Sequence, residues 1–150
     1  MRVADRRWLL AAIELSRACP VTTTAYAVGA IVVGADGREL CRGYSREADP
    51  ADHAEESALG KAVRTGLDLR RATVYTSLEP CSTRRSRARS CTELILDAGI
   101  RRVVFAMREP PTFVDGRGAE LLQEAGVEVI ELTELAELVR RVNAHLFGRI

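Results

Sequence analysis

The 150-residue sequence has almost no lysine and very few aromatic side chains. Lys61 is the only lysine, so 21 of the 22 basic residues are arginines. They face 21 acidic residues, which gives a formal net charge of +1, and only one Trp, three Tyr and three Phe are present. Proteins that bind nucleic acid usually combine a strongly basic domain with stacking aromatic side chains. The composition therefore argues against a nucleic-acid partner.

Long apolar runs are also missing. No stretch of about 18 consecutive apolar residues occurs, so the sequence predicts no transmembrane helix and no membrane partner. Residues 1–19 mix acidic side chains with arginines and lack the uncharged core and small-residue cleavage site of a signal peptide. We therefore expect a cytoplasmic protein. In that reducing compartment, paired cysteines favour metal binding or catalysis over a disulfide framework.

The hydrophobic pattern predicts helices that alternate with strands. Helices are predicted over residues 6–19, 53–65, 90–98, 116–125 and 133–146, and strands over 26–33, 39–44, 72–77, 102–106 and 127–130. This order favours a single α/β domain over residues 1–150, a three-layer α/β/α structure around a five-stranded mixed sheet. We expect the sheet to be largely parallel, with the first two strands forming an antiparallel hairpin at one side.

Two short segments carry residues suited to metal chemistry. His53-Ala54-Glu55 opens a predicted helix, whereas Glu79-Pro80-Cys81 follows a strand and Cys91 opens the next helix. One imidazole and two thiolates are good zinc ligands, and a catalytic zinc site keeps its fourth position open for water. No fourth ligand is found nearby, so three ligands plus water is the expected set. Glu55, two residues after His53, points away from the ligand direction and is placed to move protons.

Together the two segments match a known signature. His-x-Glu followed by Pro-Cys is the pattern of zinc nucleobase deaminases. The usual continuation is Pro-Cys-x-x-Cys, but here nine residues, 82–90, separate Cys81 from Cys91.

That departure points to one branch of these enzymes. Over about residues 19–129 the chain resembles the pyrimidine deaminases of riboflavin biosynthesis, both the deaminase half of the bacterial bifunctional enzyme and the fungal form. The matching segments are residues 19–20, 24–30, 43–47, 53–59, 79–82, 91, 98–100 and 109–114. The long cysteine spacing and Thr24-Ala25-Tyr26 look more like the fungal form, since the bacterial enzyme usually has Pro-Asn-Pro there. The chain ends at Ile150, so we expect the deaminase domain without the reductase half.

The resemblance implies a cytidine deaminase-like fold and the hydrolytic loss of ammonia from an aminopyrimidine. It implies that Zn²⁺ is bound by His53, Cys81 and Cys91 and that Glu55 shuttles protons. The backbone N–H of Ala54 would hold the pyrimidine ring. Members of this family usually associate, so the expected assembly is a homodimer.

The insert between the two cysteines is the most basic part of the chain. It carries four arginines and no acid, and the rest of the chain has 18 basic against 21 acidic residues. Arginine forks bind phosphate in a bidentate manner, so the insert suits a phosphorylated ribosylamino or ribitylamino pyrimidine. A solvated loop is the alternative. The candidate substrate contacts are Ala54, Arg84, Arg87, Arg89, Thr24 and Glu79.

Two other functions remain open at the level of sequence. One is a deaminase of a free nucleobase or nucleoside, of the cytosine or guanine type, which the basic insert disfavours. The other is a non-catalytic zinc-containing binding protein, which the presence of Glu55 disfavours because a structural zinc needs no such carboxylate.

Overall fold

The computed structural model describes residues 2–83, 88–108 and 117–146. Five strands form one mixed sheet in the order β2-β1-β3-β4-β5. The strands are β1 (Gly29–Val33), β2 (Glu39–Tyr44), β3 (Thr73–Leu78), β4 (Arg102–Met107) and β5 (Glu128–Glu131). The α-helices are α1 (Val3–Leu15), α2 (Ala54–Arg64), α3 (Cys91–Asp97), α4 (Gly118–Glu124) and α5 (Ala136–Val142).

The helices cover both faces of the sheet. Helices α1 and α5 pack on one face, and α2, α3 and α4 lie along the other. The three central strands, β1, β3 and β4, are entirely buried, whereas the outer strands β2 and β5 are partly exposed. This confirms the three-layer α/β/α prediction. No helix in the described part of the chain is long and apolar enough to cross a bilayer.

The sheet contains fewer parallel pairings than the sequence predicts. The β1–β2 hairpin is antiparallel as expected, but β1 also pairs antiparallel with β3, and only β3–β4 and β4–β5 are parallel. The reason is topological. The β2–α2–β3 unit is a parallel crossover, and β1 lies between its two strands.

Two predicted elements are shorter than their apolar patterns suggest. The first strand begins at Gly29, although Tyr26, Ala27 and Val28 are buried as the pattern requires. These three residues are buried but lie before the strand. The last predicted helix, 133–146, is α-helical only over α5. Short 3₁₀ turns flank it at Thr133–Leu135 and Ala144–Leu146. Apolar periodicity reports burial, and it does not separate a strand from a buried irregular segment.

The strand directions bring several chain segments to one sheet edge. Strands β3 and β4 are parallel, so their carboxyl ends meet at this edge. Because Ala30 pairs antiparallel with Thr76, the amino end of β1 lies there as well. In open α/β sheets the carboxyl ends of parallel strands form the crevice where ligands bind.

Candidate active site

Helix α2 presents two of the predicted residues at this edge. His53 is the residue just before the helix, with extended backbone, and its N–H donates to the Glu56 carboxylate at 3.3 Å. This local cap fixes where the helix starts. Ala54 is the first helical residue and is fully buried, and the Glu55 side chain is also buried. The helix start therefore places an imidazole and a buried carboxylate side by side.

Hydrogen bonds from the start of α3 hold the two cysteines next to each other. Ser90 caps this helix, since its hydroxyl accepts from the Glu93 N–H at 3.1 Å. Cys91 is the first helical residue, and its N–H donates to the Cys81 sulfur at 3.2 Å. The Thr92 N–H donates to the Cys81 carbonyl at 3.1 Å. The cap thus holds the segment after β3 against the amino end of α3.

The three donor atoms converge. His53 Nδ1 lies 3.3 Å from Cys91 Sγ and 3.5 Å from Cys81 Sγ, and all three donor atoms are within 4.8 Å of one another. In a tetrahedral zinc site, Zn–N and Zn–S bonds of about 2.0 and 2.3 Å put nitrogen and sulfur about 3.5 Å apart. Among the described residues this is the only His/Cys/Asp/Glu cluster of its kind. Its donor set and spacing fit zinc.

The surroundings of Cys81 favour its negatively charged thiolate form. A hydrogen bond with Cys91, together with His53, outweighs burial and lowers the pKa of Cys81 to about 4. Burial raises the pKa of Glu55 to about 7, and the negative Cys81 adds to this, whereas His53 and the Thr76 hydroxyl act against it. A buried carboxyl with such a pKa can both accept and release a proton near neutrality.

Two further predicted substrate contacts, Glu79 and Thr24, lie in different surroundings, one buried and one exposed. The Glu79 carboxylate is buried, accepts from the Ala119 N–H at 2.9 Å and lies 3.7 Å from Arg108 Nη1. It therefore braces the start of α4 against the segment that carries Cys81. Thr24 is exposed, and its hydroxyl lies 3.1 Å from that of Thr22.

Of the three insert arginines predicted to contact the substrate, one lies within the described residues. Arg89 forms ion pairs with Glu93 and Asp97 on α3. Arg84 and Arg87 lie outside the described residues. The segment at 109–114, which belongs to the resemblance, lies outside them as well.

The remaining cysteines lie apart from the cluster. The Cys19 thiol donates to the Val28 carbonyl at 3.4 Å, and burial raises its pKa. Cys41 lies in β2, where burial raises its pKa to about 11. Both are neutral core side chains at physiological pH.

Sequence reasoning missed Thr76 and Ser77. Both are fully buried at the end of β3, Thr76 beside Glu55, and the Ser77 hydroxyl accepts from the Gly29 N–H at 3.1 Å. The available signal was a pair of adjacent hydroxyl residues near the end of the strand, two residues before Glu79.

The amino-acid sequence matches a known family. The family described as "Cytidine and deoxycytidylate deaminase zinc-binding region" matches residues 2–107, which include all three clustered residues.

Curated relatives come from riboflavin biosynthesis. A diaminohydroxyphosphoribosylamino-pyrimidine deaminase of Schizosaccharomyces pombe is 40% identical over 126 residues, 83% of this chain and 31% of the relative. The riboflavin biosynthesis protein RibD of Aquifex aeolicus is 40% identical over 123 residues, 82% of this chain and 33% of the relative. The chain spans about a third of the length of these relatives.

Solved structures share the fold. The diaminohydroxyphosphoribosylaminopyrimidine deaminase/5-amino-6-(5-phosphoribosylamino)uracil reductase of Thermotoga maritima superposes with a TM-score of 0.81 at 34% identity, over 92% of this chain and 38% of that one. The Aspergillus oryzae Rib2 deaminase in complex with DARIPP gives 0.79 at 25% identity, over 92% and 88%.

Proposed function

Because the chain belongs to the cytidine and deoxycytidylate deaminase family, we propose that it is a zinc-dependent hydrolase that removes ammonia from an aminopyrimidine. The observation that carries this proposal is the His53, Cys81 and Cys91 cluster with the buried carboxyl of Glu55 beside it. A purely structural metal site has no need of that carboxyl, and it would normally close with four protein ligands.

In this proposal His53, Cys81 and Cys91 hold the metal. Zinc in a three-ligand site acts as a Lewis acid that activates water near neutral pH. As thiolates, the two sulfurs would balance the charge of a Zn²⁺ ion, and the Cys91 N–H stabilises the Cys81 thiolate by donating to it.

Glu55 moves the protons. Its carboxylate takes a proton from the attacking water and gives it to a ring nitrogen. It then takes the remaining proton from the newly added hydroxyl and gives it to the departing amine. The carbon–nitrogen bond to the amino group breaks, a carbonyl forms and ammonia leaves. Burial keeps bulk water away from this carboxyl, so its proton passes to the substrate. The Ala54 N–H, at the start of the same helix, is the proposed donor that holds the ring.

The proposed substrate is a phosphorylated ribosylamino or ribitylamino diaminopyrimidinone of the riboflavin pathway or of a related specialised pathway. The support is the similarity to the diaminohydroxyphosphoribosylamino-pyrimidine deaminase of Schizosaccharomyces pombe and to the Aspergillus oryzae Rib2 deaminase in complex with DARIPP. We assign the phosphate to Arg84 and Arg87 of the basic insert. Thr24 and the main chain of Glu79 would border the pocket.

Metal analysis and an ammonia-release assay test the proposal together. We expect about one zinc per chain. The assay panel comprises cytidine, cytidine monophosphate, guanine and the phosphorylated ribosylamino- and ribitylamino-pyrimidines. Ammonia should be released from one of the last two, and Glu55→Gln should lower kcat by 10²-fold or more while it keeps its zinc.

Other outcomes of the metal analysis and the ammonia-release assay would favour one of the alternative functions. Turnover of cytidine or guanine alone would indicate a nucleobase or nucleoside deaminase. Zinc without ammonia release from any pyrimidine would indicate a binding protein, and absence of zinc would overturn the metal assignment.

We also propose that the 1–150 domain forms a homodimer. Val63 and Leu67, at and just after the end of α2, are exposed apolar side chains, and β2 is an edge strand with one paired side. Light scattering of the purified protein should give twice the chain mass, and a monomer at micromolar concentration would contradict the proposal.

A further inference from the structure

The 20–28 segment enters the sheet at the end that carries the candidate active site. It leads directly into β1, whose first residue, Gly29, donates its N–H to the Ser77 hydroxyl at 3.1 Å. Ser77 lies near the carboxyl end of β3, and Cys81 follows four residues later, just beyond the strand. The 20–28 segment therefore reaches the sheet at the edge where the metal cluster is built.

Side chains from distant parts of the chain hold this irregular segment. Arg46 donates from Nε and Nη2 to the Pro20 carbonyl, at 3.2 and 2.8 Å, and from Nη1 to the Tyr26 carbonyl at 3.3 Å. Its own backbone has φ of 60°, a conformation that residues other than glycine rarely adopt. Farther along, the Ser45 hydroxyl accepts from the Val28 N–H at 3.0 Å.

The most complete of these contacts is made by Asn143, just after α5. Its side chain is fully buried, and its Oδ1 accepts from the Ala27 N–H at 2.7 Å. Its Nδ2 donates to the Ala27 carbonyl at 3.2 Å and to the Val139 carbonyl at 3.1 Å. One amide thus satisfies both main-chain groups of Ala27, as a neighbouring strand would, across 116 residues of sequence.

A second contact joins the same two regions. His145 Nε2 lies 2.9 Å from the Thr22 carbonyl at the surface. Both Asn143 and His145 lie beyond residue 107, where the matched family region ends. The carboxyl-terminal part of the chain therefore fixes the shape of a segment that borders the site.

We propose that Asn143 is a positioning residue for substrate binding, which holds Ala27 so that the 20–28 segment forms a preshaped wall of the substrate pocket. The inference rests on the proposed function. A buried main-chain N–H and carbonyl need hydrogen-bond partners, so the segment must rearrange when the amide is removed. When this segment is already ordered in the free protein, substrate binding loses less conformational entropy, and the substrate therefore binds more tightly. The Asn143 side chain bonds to Ala27 and Val139 and not to the cluster, so the metal ligands should stay in place when it is replaced.

The test compares two substitutions on the same helical segment. Asn143→Ala removes the three hydrogen bonds, whereas Val139→Ala removes buried apolar volume and leaves the main-chain carbonyl in place. We expect Asn143→Ala to raise KM for the pyrimidine substrate about 10-fold, with kcat changed less than 3-fold and one zinc per chain retained. Val139→Ala should lower the melting temperature but leave KM within 2-fold. Asn143→Leu, which keeps the side-chain volume, should reproduce the KM change if hydrogen bonding is the cause.

A second measurement does not depend on turnover. Amide hydrogen exchange at Ala27 and Val28 should accelerate at least 10-fold in Asn143→Ala and Asn143→Leu, and remain near the wild-type rate in Val139→Ala. An Asn143→Ala protein with lowered melting temperature but wild-type KM overturns the positioning role and leaves the proposed function standing. A zinc-loaded wild type that deaminates no pyrimidine overturns the proposed function, and the positioning role with it.

Discussion

The main-chain N–H of Cys91 donates to the sulfur of Cys81 at 3.2 Å, although nine residues separate the two cysteines in the chain. The contact depends on the Ser90 cap, which starts α3 at Cys91 and so directs this N–H out of the helix. The start of α3 therefore holds the two sulfurs close together although the insert between them is long. This explains how the chain keeps a compact cluster with an extended spacing.

Replacement of a cluster residue should remove the metal. Cys91→Ser substitutes a much weaker ligand for a thiolate, so we expect zinc content to fall from about one per chain to well below half. Cys41→Ser is the matched control, since Cys41 is a buried thiol in β2 outside the cluster. It should keep full zinc. Metal analysis after gel filtration measures both, and full zinc in Cys91→Ser would remove that residue from the ligand set.

Gly118 should be needed for the geometry of the metal segment. A methyl group at this position would project directly onto the Pro80 carbonyl, next to Cys81, and would also press on the Thr92 hydroxyl. We expect Gly118→Ala to push Pro80 away, weaken zinc binding at least 10-fold and lower the melting temperature. Competition with a chelator measures the zinc affinity.

Gly60→Ala provides the control for that substitution. Gly60 lies within α2, where a methyl group would meet only the flexible end of Arg64 at 3.5 Å. Alanine is the better helix former by about 0.5–1 kcal/mol, so this variant should be at least as stable as the wild type and keep its zinc affinity. Equal zinc affinity in the two glycine variants would contradict the role given to Gly118.

The buried pair of Asp5 and Arg102 should make the fold sensitive to acid. Arg102 donates to both Asp5 oxygens, at 2.8 and 2.6 Å, and the Tyr75 hydroxyl donates at 2.7 Å. Burial alone would raise the pKa of Asp5, but Arg102, the Arg2 N–H and Tyr75 outweigh it and hold the pKa well below 3.8. Because the pKa of Asp5 is lower in the folded protein, Asp5 contributes its full stabilisation above the pKa of the unfolded state, near 3.8. As the pH falls below that value toward the pKa of the folded state, this stabilisation is lost.

Asp5→Asn tests this dependence. It leaves the buried Arg102 guanidinium with only its ion pair to the exposed Glu128, so the free energy of unfolding at pH 7 should fall by about 3 kcal/mol. The difference from the wild type should shrink as the pH drops below about 4, because the wild type then loses the same interaction. Urea unfolding between pH 3 and 7 measures it, with the exposed Asp36→Asn variant as a control that changes little. A difference independent of pH would contradict the assignment.

Local sequence signals predict most of the elements and the clustering of His53, Cys81 and Cys91, because those features depend on neighbouring residues. The Ser90 cap and the ends of α2 follow from nearby side chains, and the three donor atoms were found from two short segments. The start of β1 at Gly29 was not predicted, because Tyr26 to Val28 are apolar and buried without being in a strand.

Contacts between distant parts of the chain were beyond local reasoning. Asn143 meets Ala27 across 116 residues, and no periodicity or spacing marks an asparagine that will satisfy a remote main chain. The Glu79 carboxylate is a similar case, since its partner at Ala119 belongs to a helix that begins 39 residues later. A carboxylate near a metal motif suggests a substrate contact, but its hydrogen bonds depend on the tertiary fold.

The arginines of the insert should distinguish phosphorylated from unphosphorylated substrate. If Arg84 and Arg87 bind the phosphate, their combined replacement by alanine should raise KM for the phosphorylated pyrimidine about 10-fold or more, since each lost charge-assisted contact weakens binding. KM for the same pyrimidine without its phosphate should not change. Arg89→Ala is the control within the insert, because Glu93 and Asp97 already bind the Arg89 guanidinium, so its loss should change KM little. Steady-state kinetics on both substrates measure the effect, and an equal change in KM for the two substrates would show that the insert acts on the pocket as a whole and not on the phosphate.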